Sequence, residues 1–311
     1  MAVSTQIAIC VILSSMQPDF QILLYYKYVR IDDPASLMAA QRALCERLGL
    51  KGRILIAHEG INGTLEGETA ATEEYVRELF ADPRFSDIHM KRSAGTGSAF
   101  PKLRIKVRDE IVGTHFPAEI DPTRETATHI SAEEMYNLIH GDEKIHIIDM
   151  RNDYEFNIGR FENSILPSLE NSRDLAKSVE EIAHLKNEKV VTVCTGGVRC
   201  EKMSAYLLHK GFTNVSQLSG GIVTYMEKYP NKDFKGKLYV FDNRIAMGFE
   251  TDSPEHEIIA NCQFCDVKSD NYINCTDPKC HKQIFSCVDC VAAQKTTCLN
   301  GCVIMEKAHN H

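Results

Sequence analysis

A chain of 311 residues, 43% of them apolar, is long enough for two or three domains with cores of their own and is not the composition of a disordered or fibrous protein. Its formal net charge of −8 excludes coating nucleic acid by bulk charge, although a local basic stripe remains open. No apolar run reaches bilayer length, so no membrane partner is expected.

Residues 1–20 read as an N-terminal extension. Its apolar segment Ile7–Leu13 is short and follows no basic residue, which suggests a strand or ordered tail rather than an export signal. From 21 to 116 the pattern is β-α-β-β-α-β, the order of a ferredoxin-like (acylphosphatase-like) α+β domain. Strands are predicted over Ile22–Val29, Arg53–Ala57 and from Thr64–Glu66, with two more near Ile88–Lys91 and over Leu103–Val107. Asp32-Asp33-Pro34 signals a helix start and Gly49 its stop, and a second helix fits Ala71–Phe80. Glu59-Gly60-Ile61-Asn62-Gly63 reads as a tight turn or, less blandly, a substrate loop.

Lys102, Arg104, Lys106 and Arg108 alternate with apolar residues, so a strand would carry four positive charges on one face. Such a row repels itself and a polyanion would relieve it, which makes these four the candidate RNA contacts; a plain solvated face is the alternative.

Residues 117–129 are polar and read as a linker. A central α/β domain over 130–232 follows. Ser131-Ala132-Glu133-Glu134 resembles a capping box, and Ile145–Ile148, Val190–Val193 and Val215–Leu218 are short apolar runs suited to buried parallel strands. Cys194-Thr195-Gly196-Gly197-Val198-Arg199 lies where one strand ends and a helix begins. Its glycines allow backbone N–H groups to converge on one atom, the helix N-terminus adds its dipole, and Arg199 adds a positive charge. All three favour a thiolate at Cys194, held anionic and accessible. Cys200 is a candidate resolving thiol or a buried helix residue, and Glu201 and Lys202 read as solvated, with assistance to substrate binding the alternative for Lys202.

The tail over 233–311 opens with a short strand, Leu238–Phe241, after a Lys-rich linker, Lys228–Lys237. It holds the pairs Cys262/Cys265, Cys275/Cys280, Cys287/Cys290 and Cys298/Cys302. Eight thiolates in a long chain without an export signal suit two four-cysteine zinc sites in a reduced, cytoplasmic protein, with His281 a possible substitute ligand. Spacing does not say which pairs share an ion, and no organic cofactor is evident. Cys10 and Cys45 read as small buried hydrophobes.

The six-residue loop resembles that of the rhodanese family. So do Asp149-Met150-Arg151 with Glu155, Phe156 and Gly159, and Leu218-Ser219-Gly220-Gly221; Arg160 stands where that family has His. Asp149 and Arg151 are then expected to support the loop structurally. With the flanking domains, Tyr26-Lys27-Tyr28, Glu59–Gly63, Leu103–Arg108, Asp149–Glu155, Cys194–Lys202 and Asp242, nearly the whole chain from Ile22 resembles the oxygen-dependent tRNA uridine(34) hydroxylases. The resemblance implies C5 hydroxylation of the wobble uridine to 5-hydroxyuridine, with O₂ as co-substrate, the loop cysteine catalytic, and the tRNA anticodon loop rather than DNA as partner. A sulfurtransferase using a Cys194 persulfide and a non-catalytic RNA-binding redox module are the rival readings. Oligomeric state is left open.

Overall fold

The computed structural model describes residues 19–117, 120–280 and 282–298. Ile7–Leu13, Cys10, His281 and Cys302 lie outside the described residues.

The N-terminal unit runs β1 (Phe20–Tyr28), α1 (Pro34–Arg47), β2 (Lys51–Ala57), β3 (Gly60–Glu68), α2 (Thr69–Phe80), β4 (Lys91–Ala94) and β5 (Leu103–Val107). The strands lie in the order β4-β1-β3-β2-β5. The first four give the antiparallel ferredoxin-like arrangement, and β5 adds parallel to β2 at the edge. Asp33 caps α1 by accepting the Ser36 N–H at 2.9 Å, and beyond its end Gly49 takes a φ of +66°. Leu23, Tyr25, Ile54, Ile56, Ile61, Leu65 and Ile105 pack under the two helices. Strand alternation therefore turns Leu24, Tyr26, Arg53, Leu55, Asn62 and Thr64 to the other face. That face lies against the central domain.

The central unit contains β6 (Thr128–Ile130), α3 (Ala132–Ile139), β7 (His146–Asp149), α4 (Asp153–Ile158), β8 (Gly159–Phe161), α5 (Leu175–Ser178), β9 (Val190–Val193), α6 (Val198–His209), β10 (Val215–Leu218) and α7 (Gly221–Lys228). Four parallel strands order as β6-β10-β9-β7. β7, β9 and β10 feed both faces, as a doubly covered sheet requires: Ile148, Val190 and Val215 join one core, Ile147, Val191, Val193 and Leu218 the other. The capping box at Ser131 and Glu134 is formed.

Two stretches expected as linkers are packed. In the first, Ile120 and Ala127 enter the central core, Thr126 Oγ1 donates to the Glu201 carbonyl at 3.0 Å, and β6 already begins at Thr128. In the Lys-rich stretch, β11 (Phe234–Gly236) pairs with β8, because Phe234 is an apolar residue with Phe161 to pack on at 5.5 Å between rings. The expected strand Leu238–Phe241 is paired only at β12 (Leu238–Tyr239), against β13 (Ala246–Met247). The tail ends in a hairpin of β14 (Tyr272–Asn274) and β15 (Gln283–Phe285), then α8 (Val288–Ala292). No helix among the described residues is long and apolar enough to cross a membrane.

Candidate active site

The loop begins where β9 runs out. Gly197 has a φ of +101°, a conformation that turns its N–H onto Cys194 Sγ at 3.2 Å and starts α6 immediately afterwards. Gly221 lies at φ +72°, and any Cβ there would meet the Cys194 carbonyl and Gly196 at 2.7 Å, so the second glycine of Leu218–Gly221 is a spacing requirement. The following α7 returns its N-terminal amides to the loop: Ile222 N donates to Cys194 O and Val223 N to Thr195 O.

Burial alone raises the Cys194 thiol. The Cys200 thiol donating to it, the charge of Arg199 and the amides of Cys200 and Gly197 outweigh that and pull it down to about 6. Cys200 itself is pushed well above its ordinary value by burial and by that neighbour. Cys200 is thus a buried first-turn residue whose thiol serves the Cys194 sulfur as a donor. Arg199 acts through space. Its guanidinium forks onto Glu155 at 2.5 and 2.8 Å, with Thr195 Oγ1 bridging the pair. Burial would raise the Glu155 carboxyl, but the Arg199 charge and hydrogen bonds hold it below its usual range.

Asp149 and Arg151 form a second buried pair at 2.7 Å. Arg151 also donates to the carbonyls of Glu155 and Gly159, which ties α4 to β7. Neither residue contacts the sulfur by a hydrogen bond; both hold the frame beneath the loop.

Accessibility is where the structure departs from the sequence reading. Cys194 is fully buried. The open face of the N-terminal sheet sits on the loop: a Cβ at Gly197 would be 2.7 Å from Tyr26 Oη, and one at Gly196 3.1 Å from Leu24 Cδ2. A strap from the tail closes another side. Asn243 N donates to Ala99 O, and Arg244 forks on Asp242 while donating to Ser93 Oγ and Ala94 O. Among the described residues, two cavities touch the loop and a third lies nearby. One of about 250 Å³ is lined by Tyr26, Arg53, Asn62, Thr195, Gly196 and Arg199. A small one of about 60 Å³ adjoins it at Leu24, Thr195 and Phe241 and reaches Lys91. A third, about 310 Å³, lies beyond Tyr26 and Lys91 beside Glu201.

Glu201 and Lys202 are not solvated; they are the interdomain lock. Glu201 accepts from Tyr26 Oη at 2.8 Å and Gln217 at 3.1 Å and pairs with His129 at 2.9 Å, which raises the His129 pKa. Lys202, 3% exposed, pairs with Glu59 at 2.8 Å and Glu110 at 2.9 Å. Of the Glu59–Gly63 segment, expected as a turn or substrate loop, only Glu59 lies in the β2–β3 turn; Gly60–Gly63 open β3, and the segment serves this interface. Asn62 donates to Ile111 O, and Glu59 accepts the Ile111 N–H.

Lys102, Arg104, Lys106 and Arg108 are all exposed, along the edge strand and its flanks. Arg104 lies beside Arg53 in register, on the face turned toward the loop, so the basic row continues into the 250 Å³ cavity. Lys91, on β4, lines two of these cavities; in the sequence it stands out only as the end of a predicted strand.

In the tail, Sγ atoms of Cys262, Cys265, Cys287 and Cys290 lie within 4.8 Å of one another, as do those of Cys275, Cys280 and Cys298. The pairs are interleaved along the chain. A tetrahedral ion with metal–sulfur bonds of about 2.3 Å needs sulfurs about 3.8 Å apart. Cys265 to Cys287 is 3.6 Å and Cys280 to Cys298 is 3.7 Å, so both clusters fit a metal ion. Cys45 is buried, its thiol pushed up to about 12 by desolvation, as suits a core residue.

Fold and site together define a rhodanese-domain protein whose cysteine loop is capped by a ferredoxin-like domain. Family models agree: residues 20–111 match the UPF0176 acylphosphatase like domain, 131–228 the Rhodanese-like domain and 235–303 the Rhodanase C-terminal model. A tRNA uridine(34) hydroxylase of Cytophaga hutchinsonii is 40% identical over 91% of this chain and 90% of its own length. That of Bacillus velezensis is 39% identical over 94% and 91%, and that of Staphylococcus aureus strain COL 43% identical over 86% and 84%. The chain belongs to the tRNA uridine(34) hydroxylase family.

Proposed function

We propose that this protein hydroxylates C5 of uridine 34 in the tRNA anticodon loop to 5-hydroxyuridine, with O₂ as oxidant and Cys194 as the working thiolate. Family membership supports the reaction class. The observation that carries the assignment of the site is the Cys194 sulfur itself, held by the Gly197 amide at 3.2 Å beneath a sheet face whose basic edge leads toward it. Such an edge neutralises phosphates and positions a nucleic acid without reading its sequence. The thiolate has two routes to C5 chemistry: addition at C6, which makes C5 nucleophilic, or oxygen delivery from an oxidised sulfur. Arg199, Thr195 and Gly196 shape the loop; Asp149 and Arg151 hold it in place.

Two structural zinc ions in the tail complete the reading, one held by Cys262, Cys265, Cys287 and Cys290. The other would be held by Cys275, Cys280 and Cys298, with Cys302 as the fourth ligand. They would fix a tail too small for its own core, including the strap beside the loop. A cytoplasmic site of action follows from the substrate.

The test is the nucleoside profile of tRNA from a deletion strain complemented with wild-type protein or with Cys194→Ser. Wild type should restore 5-hydroxyuridine and its derivatives, and the variant should not. Full restoration by Cys194→Ser refutes the assignment of the thiolate. Unchanged nucleosides in the deletion strain, together with lost thiosulfate sulfurtransfer, would favour a sulfurtransferase.

A further inference from the structure

Lys91 is a buried amine that the fold does not need. Its residue is 8% exposed, and Nζ has no hydrogen-bond partner among the described residues. It lies 5.3 Å from the centroid of the Tyr26 ring. A cation–π contact does not offset the cost of stripping water from an unpaired ammonium, whereas methionine would fill the same space without that cost. A polar group kept under such terms is a group kept for use.

Its position says for what. Lys91 pairs with Leu24 across β1 and β4, so it stands in the same row as Leu24 and Tyr26, the two side chains that sit on Gly196 and Gly197. It lines the small cavity beside Thr195 and the larger one beside Glu201. The opposite charges acting on it are the Cys194 thiolate and the Glu201 carboxylate of α6. The ring of Tyr26 on β1 faces it, and His89 lies just before it in the chain.

Resting on the hydroxylase reading, we propose that Lys91 is a catalytic residue that donates a proton to O4 of the wobble uracil as the Cys194 sulfur bonds to C6. In that step the thiolate electron pair forms the S–C6 bond. The C5=C6 π pair becomes a C4=C5 bond, and the C4=O4 π pair moves onto O4, which takes the Lys91 proton. The product is a neutral enol adduct, nucleophilic at C5, and a neutral lysine; no oxidant is consumed. A base coming from the 250 Å³ cavity passes Leu24 and Tyr26, so the Tyr26 ring must yield before O4 reaches the amine. Burial lowers the Lys91 pKa to about 8, which poises it to give up the proton near neutrality.

The experiment is single-turnover formation of 5-hydroxyuridine in substrate tRNA, from pH 5 to 10, for wild type, Lys91→Met and Lys91→Arg. Wild type should rise through pH about 6 as the Cys194 thiol ionises and fall through about 8 as Lys91 loses its proton. Lys91→Met should lose at least 100-fold in rate with tRNA affinity within about threefold, and should lose the alkaline fall. Lys91→Arg should retain partial activity, with the alkaline fall moved beyond pH 10. Lys91→Met within threefold of wild type, or slower with the alkaline fall unmoved, overturns the proposal. Wild type without product, or Cys194→Ser with full product, overturns the reading beneath it and the proposal with it.

Discussion

Lys202 and Glu110 meet at 2.9 Å across the boundary between the central and N-terminal domains, with Glu59 sharing the same ammonium at 2.8 Å. The lysine sits on α6, the helix that begins directly after the Cys194 loop, so the cation that docks the domains also fixes the distance between the sheet face and the loop. The site exists only when the two domains are together.

Replacing Lys202 with Met should therefore cost about 2–3 kcal/mol. That is less than the 3–5 kcal/mol of a fully buried pair, because each carboxylate is one-fifth exposed. Burial raises the Glu110 carboxyl, but Lys202 and the amides of His115 and Thr114 pull it below its unfolded value. A depressed carboxyl stabilises the fold above its unfolded pKa, and that stability is lost as pH falls through the folded value. Urea unfolding at pH 7 and pH 4 should show a smaller acid loss for Lys202→Met than for wild type; equal losses would remove Glu110 from the account.

Cys194 should alkylate with an acid midpoint and a low ceiling. Iodoacetamide labelling, read on the Cys194 peptide by mass spectrometry, is expected to rise through pH about 6 and then level off. The plateau should lie below that of an exposed thiolate, because the sulfur is covered. Cys200→Ala removes a donor to the sulfur and should move the midpoint upward. An ordinary midpoint near 9 in the wild type is the contrary result.

How much of this is written in the chain depends on distance along it. The loop, its glycines, the capping box at Ser131 and the ferredoxin-like order are local patterns, and alternation fixed Ile105 inward with Arg104 and Lys106 outward. Glu201 and Lys202 read as solvated because polar residues on a helix usually are. What buries them is a second domain, 175 residues upstream for the bond from Tyr26 Oη to Glu201 and 92 for Lys202 with Glu110. Lys91 carries no local signature at all; only the meeting of β4 with a loop that begins 103 positions later suggests the role proposed for it. The burial of Cys194 follows from the same docking, since the isolated loop offers no hint of a lid.

Metal removal should act on the tail before the rest. The two sulfur clusters replace a hydrophobic core there, so a high-affinity zinc chelator should expose at least seven further thiols to a colorimetric reagent. Hydrogen exchange should rise first in β14, β15 and α8. The segment around Asp242 and Arg244 should follow, because it is strapped to the N-terminal sheet by Arg244 but leads directly into the tail. Element analysis finding fewer than two zinc ions per chain would argue against the two sites as proposed.

The basic edge should supply affinity rather than selectivity. Arg104 and Lys106 are exposed, and each is expected to neutralise a backbone phosphate. Arg104→Gln with Lys106→Gln should weaken binding to every tRNA alike and lower the salt slope of log K by about 0.7–1 per charge removed. The fold should tolerate the change, since these side chains face solvent and glutamine relieves the repulsion between Arg104 and Arg53. Binding isotherms between 50 and 200 mM salt, on substrate and non-substrate tRNA, measure both quantities. A loss confined to tRNAs that carry uridine 34 would mean that the stripe reads the anticodon itself, and an unchanged slope would return it to a plain solvated face.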